Sequence, residues 1–89
     1  MSIGFKRTRL LLAVVENIVA QRGKPVYGSS IIQAIKAPAG SVYPALKRLT
    51  EAGWLAWEME PAPADRPGRK LYTLTPLGQR EAIQFLKEQ

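Results

Sequence analysis

A single, mostly helical α+β domain is the fold class that this 89-residue sequence predicts, on three observations. Apolar residues recur at helical spacing in four separate blocks, near residues 10–19, 31–35, 42–49 and 77–86. Between the third and fourth blocks the period drops to two. Leu55, Trp57 and Met59 alternate there with Ala56, Glu58 and Glu60, as in a strand with one buried face. Glycine and proline punctuate the blocks at Gly23, Pro25, Pro38, Gly40, Gly53, Pro61 and Pro76.

The first helix is expected from about Thr8 to Arg22, stopped by Gly23 and Pro25. Its apolar residues Leu10, Leu11, Leu12, Val14, Val15, Ile18 and Val19 cover about half of a helical wheel, wider than the ~100° a surface helix needs. Either this helix is deeply buried or its extra face meets another subunit. Val26, Tyr27 and Gly28 form a short extended piece suited to an edge strand. Ser29 or Gly28 then caps a brief helix running to Lys36, with Ile31, Ile32 and Ile35 inward.

Pro38, Ala39 and Gly40 turn the chain into a third helix, capped by Ser41, with Pro44 in its first turn and Gly53 closing it. Val42, Leu46 and Leu49 share one side of it, while Pro44, Lys47, Arg48 and Glu51 point away. Two short helices joined by a glycine-containing turn describe a helix-turn-helix. A polar amino end and a Lys-Arg pair suit a helix that enters the DNA major groove.

The strand of residues 55–59 and a second at 69–74 make a hairpin whose tip, residues 61–68, is stiffened by proline. Trp54 is expected to plug the core beside Gly53, and Trp57, on the inward strand face, is assigned to the core as well. Thr75 and Pro76 are an N-cap and first helical residue for a last helix over 76–87. Its apolar residues Leu77, Ala82, Ile83, Phe85 and Leu86 also spread too widely for one core face. The order helix, short strand, helix, helix, hairpin, helix is that of a winged helix-turn-helix, with a two- or three-stranded antiparallel wing and a C-terminal helix.

Thirteen Lys and Arg against seven Asp and Glu give a net charge of +6. That excess favours a polyanionic partner, the more so because the cations cluster at 6–9, 47–48 and 66–70. With neither histidine nor cysteine, the chain lacks the usual nucleophiles, metal ligands and neutral-pH bases, so an enzyme is not expected. Glycines 28 and 40 stand alone, without a phosphate-cradling loop. The apolar block after Arg9 is ended at once by Glu16 and Asn17. No run approaches the ~20 residues a membrane span needs, and the chain is read as cytoplasmic.

The motifs also carry a family resemblance. Tyr27-Gly28, then Ser41-Val42-Tyr43-Pro44-Ala45-Leu46-Lys47-Arg48-Leu49 and Glu51-Ala52-Gly53, resemble the PadR-type transcriptional regulators. Arg69-Lys70-Leu71-Tyr72-Thr73-Leu74-Thr75 continues the likeness, which covers roughly residues 10–80. It implies a homodimeric repressor that binds a palindromic operator in double-stranded DNA. Recognition-helix contacts would fall on Ser41, Tyr43, Pro44, Lys47 and Arg48, and wing contacts on Arg66, Arg69 and Lys70. The chain departs from the family at Ser29, where an aromatic residue is usual, and at Gly68, inserted before Arg69. It ends at Gln89 without the long helices that build the family's dimer, so dimerisation falls to the first and last helices. The residues assigned to that interface are Leu11, Leu12, Val15, Val19, Ile83, Phe85 and Leu86. No cofactor, metal or small-molecule effector is expected.

Each assignment has a plainer rival. Lys47 and Arg48 are read as DNA contacts rather than a solvated pair, and Arg66, Arg69 and Lys70 as phosphate contacts rather than charges guarding an exposed strand. Tyr43 either reaches a phosphate or packs on the wing, and Ser41 is a cap before it is a base reader. Lys6, Arg7 and Arg9 are read as solubilising residues in a basic arm over 1–7 and the start of the first helix. Two further functions share the scaffold: a protein-interaction module and a non-specific nucleic-acid binder.

Overall fold

A computed structural model describes residues 8–62, 64–65 and 68–88. Lys6, Arg7 and Arg66, three of the cations singled out above, lie outside the described residues, as does part of the wing tip. The elements run α1 (Arg9–Ala20), β1 (Val26–Tyr27), α2 (Gly28–Ile35), α3 (Ala39–Glu51), β2 (Leu55–Met59), β3 (Lys70–Leu74) and α4 (Pro76–Lys87). The sheet is antiparallel in the order β1-β3-β2, which makes β1 the expected edge strand and gives the wing its third member.

Local chemistry sets most of these boundaries. The Thr8 hydroxyl accepts from the Leu11 amide at 3.1 Å and starts α1. Arg22 and Gly23, with φ of 55° and 82°, turn the chain away at its end. At the end of α3, the Gly53 amide donates to the Thr50 carbonyl and the Trp54 amide to that of Leu49, both at 3.0 Å. This double closure needs its first donor in the left-handed region, and Gly53 supplies it with φ 84°. Thr75 caps α4 as expected, accepting from the Gly78 amide at 2.9 Å, and its hydroxyl donates to the Gly53 carbonyl at 2.6 Å. One side chain thereby ties the end of α3 to the start of α4.

Three capping expectations are corrected. Neither Ser29 nor Gly28 caps α2, because the helix begins at Gly28 and the extended residue before it is Tyr27. Ser41 does not cap α3 either. The Pro38 carbonyl accepts from the amides of Ser41 and Val42, so the helix starts at Ala39 with Ser41 already inside it. Pro44 is therefore an interior helix residue, not a first-turn one. It has no amide proton for the Gly40 carbonyl, a loss that water offsets because Gly40 and Pro44 are both exposed.

All four helices and the sheet contribute to one core. Leu11, Val14, Val15 and Ile18 of α1 meet Ile31 of α2, Val42, Ala45, Leu46 and Leu49 of α3, and Ala82 and Phe85 of α4. Trp54 closes it as expected, edge-on to Phe85 with ring centroids 5.8 Å apart. Helix α1 packs on α2, α3 and α4 alike, so its broad apolar face is used within the chain. That corrects part of the interface assignment. Leu11, Val15 and Phe85 are only 1–2% exposed and have no surface left for a second subunit. Leu12, Val19 and Leu86 are half-buried and Ile83 is exposed. Among the described residues no helix is long and apolar enough to cross a membrane.

Trp57 is the other correction. Leu55, Trp57 and Met59 do share a face, but only Leu55 is buried, while Trp57 and Met59 are 44% and 54% exposed. The hairpin outruns the helices beneath it. Its inner end, with Leu55 opposite Leu74, covers the core, whereas the outer end, with Met59 opposite Lys70, projects beyond it.

Candidate nucleic-acid interface

Burial of Val42, Ala45, Leu46 and Leu49 fixes the rotation of α3 and turns Ser41, Tyr43, Pro44, Lys47 and Arg48 outward. The first turn of this helix carries no acid, so its amino end keeps the positive potential of unpaired amides. Tyr43 is 46% exposed, and its ring lies against the start of α2 rather than on the wing tip. Gly28 makes this approach possible, since a Cβ there would stand 2.6 Å from Tyr43 Cε1.

Two open clefts flank Tyr43. One, of about 350 Å³, is bounded by Tyr27, Ser29, Tyr43, Arg69 and Lys70. The other, of about 550 Å³, lies between α3 and the hairpin and is bounded by Tyr43, Pro44, Lys47, Thr50, Trp57 and Lys70. Tyr72 forms part of both walls. Burial, and to a lesser degree the neighbouring Tyr43, raises its phenol above the ordinary value of 10.0.

The two described wing cations, Arg69 and Lys70, have different aromatic neighbours. The Lys70 ammonium sits 4.3 Å from the Trp57 ring centroid, on the face toward α3. Arg69 is turned toward β1, 4.3 Å over the Tyr27 ring and 3.7 Å from Glu60 Oε1, and it lines the other cleft. The Tyr27 hydroxyl donates to Glu60 Oε2, and the Glu60 amide donates to the Arg69 carbonyl at 2.8 Å. Glu60 therefore joins β1 to both strands of the hairpin.

Of the residues assigned from sequence, Tyr43, Pro44, Lys47 and Lys70 meet at one cleft. Ser41 and Arg48 are exposed on α3, outside that lining, and Arg69 lines the neighbouring cleft with Tyr43 and Lys70. Tyr27, Thr50, Trp57 and Tyr72 are additions that sequence reasoning missed. Strand register carried a signal for one of them, because pairing Met59 with Lys70 places Trp57 diagonally beside that lysine. Among the described residues no group of acidic side chains is placed to hold a metal ion.

A protein-family model described as the transcriptional regulator PadR-like family matches residues 17–84. Solved structures agree with the fold. A PadR-like transcription factor from Bacteroides fragilis superposes with a TM-score of 0.75 at 28% identity, covering 89% of this chain and 78% of that one. The smu.1704 protein of Streptococcus mutans gives 0.72 at 28% identity, covering 97% and 82%. Bacillus subtilis PadR, crystallised with operator DNA, gives 0.74 at 24% identity, covering 89% of this chain but 47% of that one. No curated protein gives a significant match.

Proposed function

This chain belongs to the PadR-like family of transcriptional regulators, and we propose that it binds operator DNA as a homodimer and represses transcription. The single observation that carries this reading is the cationic rim of the cleft between α3 and the wing. Lys47 projects from α3 on one side and Lys70 from β3 on the other, with Arg48 next along the helix. In the proposed complex α3 enters the major groove. Lys47 and Arg48 contact phosphates or guanine edges, while Lys70 tracks the flanking backbone. Ser41 and Tyr43 lie at the amino end of α3, where a recognition helix approaches the bases. The Bacillus subtilis complex supports the reading by example, since that protein shares the fold and holds operator DNA.

Dimerisation would pair the outer surfaces of α1 and α4, helices that pack on each other within the chain. Ile83, with Leu12, Val19 and Leu86, supplies the apolar surface for that contact. A two-fold dimer presents its recognition helices to two inverted half-sites about one helical turn, or ~34 Å, apart.

Selection of bound duplexes from a random pool tests these points together. Enrichment of an inverted repeat is the expected result. Retention of duplex without enrichment would point to non-specific nucleic-acid binding. If no duplex is retained, DNA binding is wrong, and a partner recovered by pull-down would then favour a protein-interaction module.

A further inference from the structure

Arg69 and Lys70 are adjacent cations with opposite surroundings. Arg69 is matched by a carboxylate, since Glu60 lies 3.7 Å away and Tyr27 supports both partners. Lys70 is matched by an aromatic face alone, and among the described residues it has no carboxylate partner. The difference matters for a polyanion. A carboxylate cancels the charge that it pairs with, whereas the face of an indole attracts an ammonium and leaves its net charge available. Lysine also has a flexible stem, and restraining it beforehand removes part of the entropy lost on binding.

Trp57 is placed to supply that restraint. It lies two residues from Met59, the partner of Lys70 across the strands, a diagonal that long side chains span. Its ring stands outside the core, 44% exposed, and lines the hairpin side of the cleft that Lys47 lines from α3. We propose that Trp57 is a positioning residue that holds Lys70 over this cleft as a phosphate-binding cation of the wing, and that Arg69 instead clamps the hairpin to β1. The inference rests on the operator reading and assigns the two described wing cations different work within it.

The test measures affinity for a selected duplex and for a random-sequence duplex across about 50 to 200 mM salt. Lys70→Ala should reduce the slope of log affinity against log salt by about one per protomer. Trp57→Ala should weaken binding about 2- to 5-fold, the worth of an exposed cation–π contact, and Trp57→Phe should recover part of that loss. In a Lys70→Ala background, Trp57→Ala should add nothing. Removing the Arg69–Glu60 bridge as a unit, with Arg69→Ala and Glu60→Gln together, should leave the salt slope unchanged. A merely structural tryptophan would give additive losses.

Iodide quenching examines the pair without DNA. Trp54 is 1% exposed, so the anion reaches Trp57 alone. Quenching should fall in Lys70→Ala and persist in the Arg69→Ala, Glu60→Gln protein. Additive losses from Trp57→Ala and Lys70→Ala, or iodide quenching indifferent to Lys70→Ala, would overturn the inference while wild-type binding left the operator reading intact. Wild-type protein that binds neither duplex would refute both.

Discussion

The salt dependence of DNA binding can be anticipated from the positions of the cations, and replacing Lys47 with alanine perturbs it in a countable way. Lys47, Arg48 and Lys70 are exposed on the proposed interface, whereas Arg69 is engaged by Glu60. Counting these described cations alone, two protomers would neutralise about six phosphates, giving a slope of log affinity against log salt of about −5.4. Over a fourfold rise in salt, from about 50 to 200 mM, affinity for a cognate duplex should fall about 10³-fold. Lys47→Ala removes one cation from each half-site, so the slope should move to about −3.6 and the loss over the same range to about 10²-fold. Lys47 is exposed and outside the core, and its replacement should leave the melting temperature nearly unchanged. Fluorescence anisotropy with a labelled duplex at several salt concentrations gives the slopes directly. A wild-type slope shallower than about −2, or a Lys47→Ala slope equal to wild type, would refute the assignment of these cations to phosphates.

Three further substitutions probe the scaffold and the proposed dimer. Thr75→Val removes both the α4 cap and the bond to the Gly53 carbonyl, which should cost about 2 kcal/mol and on the order of 10 °C in melting temperature, with Thr75→Ser close to wild type by circular dichroism. Ile83→Glu, at an exposed position, should change stability by no more than about 0.5 kcal/mol yet shift the protein toward monomer in sedimentation. Phe85→Ala should instead cost about 3–5 kcal/mol and alter Trp54 fluorescence, because Phe85 is core. Burial holds the Tyr72 phenol in its neutral form, so the associated stability is present below pH 10.0 and is lost as pH rises through the raised value. Tyr72→Phe should therefore flatten the alkaline decline in stability seen by pH-dependent denaturation.

Features specified by neighbouring residues were legible in the sequence. The Thr75-Pro76 start, the Gly53 stop and the inward Val42, Leu46 and Leu49 all follow from interactions within a turn or two, and the structure contains each. Ser41 was misread because a side-chain cap competes with a proline carbonyl that starts the helix earlier. Both patterns are present at 38–41, and the backbone geometry of Pro38 wins, with ψ 145° before Ala39. Trp57 was misread for another reason. Alternation identifies the face of a strand but not how far that strand extends past the core that supports it. The Arg69–Glu60–Tyr27 cluster draws on both hairpin strands and the edge strand, so no local window contains it.

The apolar face of α1 is broad because the helix is central to the domain. A half-circumference of apolar surface suggested a second subunit, but a central helix in a small domain needs that breadth to meet three neighbours of its own. Once α2, α3 and α4 are packed on α1, its most apolar positions are spent, and width alone no longer implies a partner. What argues for one is the apolar surface that folding leaves on α4, where Leu77 and Ile83 are 40% and 38% exposed. The salt slope bears on the same question from the DNA side. A monomer presenting Lys47, Arg48 and Lys70 once would neutralise about three phosphates and give a slope of about −2.7, half the dimer's value. If Ile83→Glu separates the subunits without unfolding them, its slope should fall to that figure, although residue 83 lies on α4 and outside the cationic cleft. An Ile83→Glu protein that sediments as a monomer but keeps the wild-type slope would mean that a single protomer makes all the phosphate contacts, and that the pairing of half-sites is wrong.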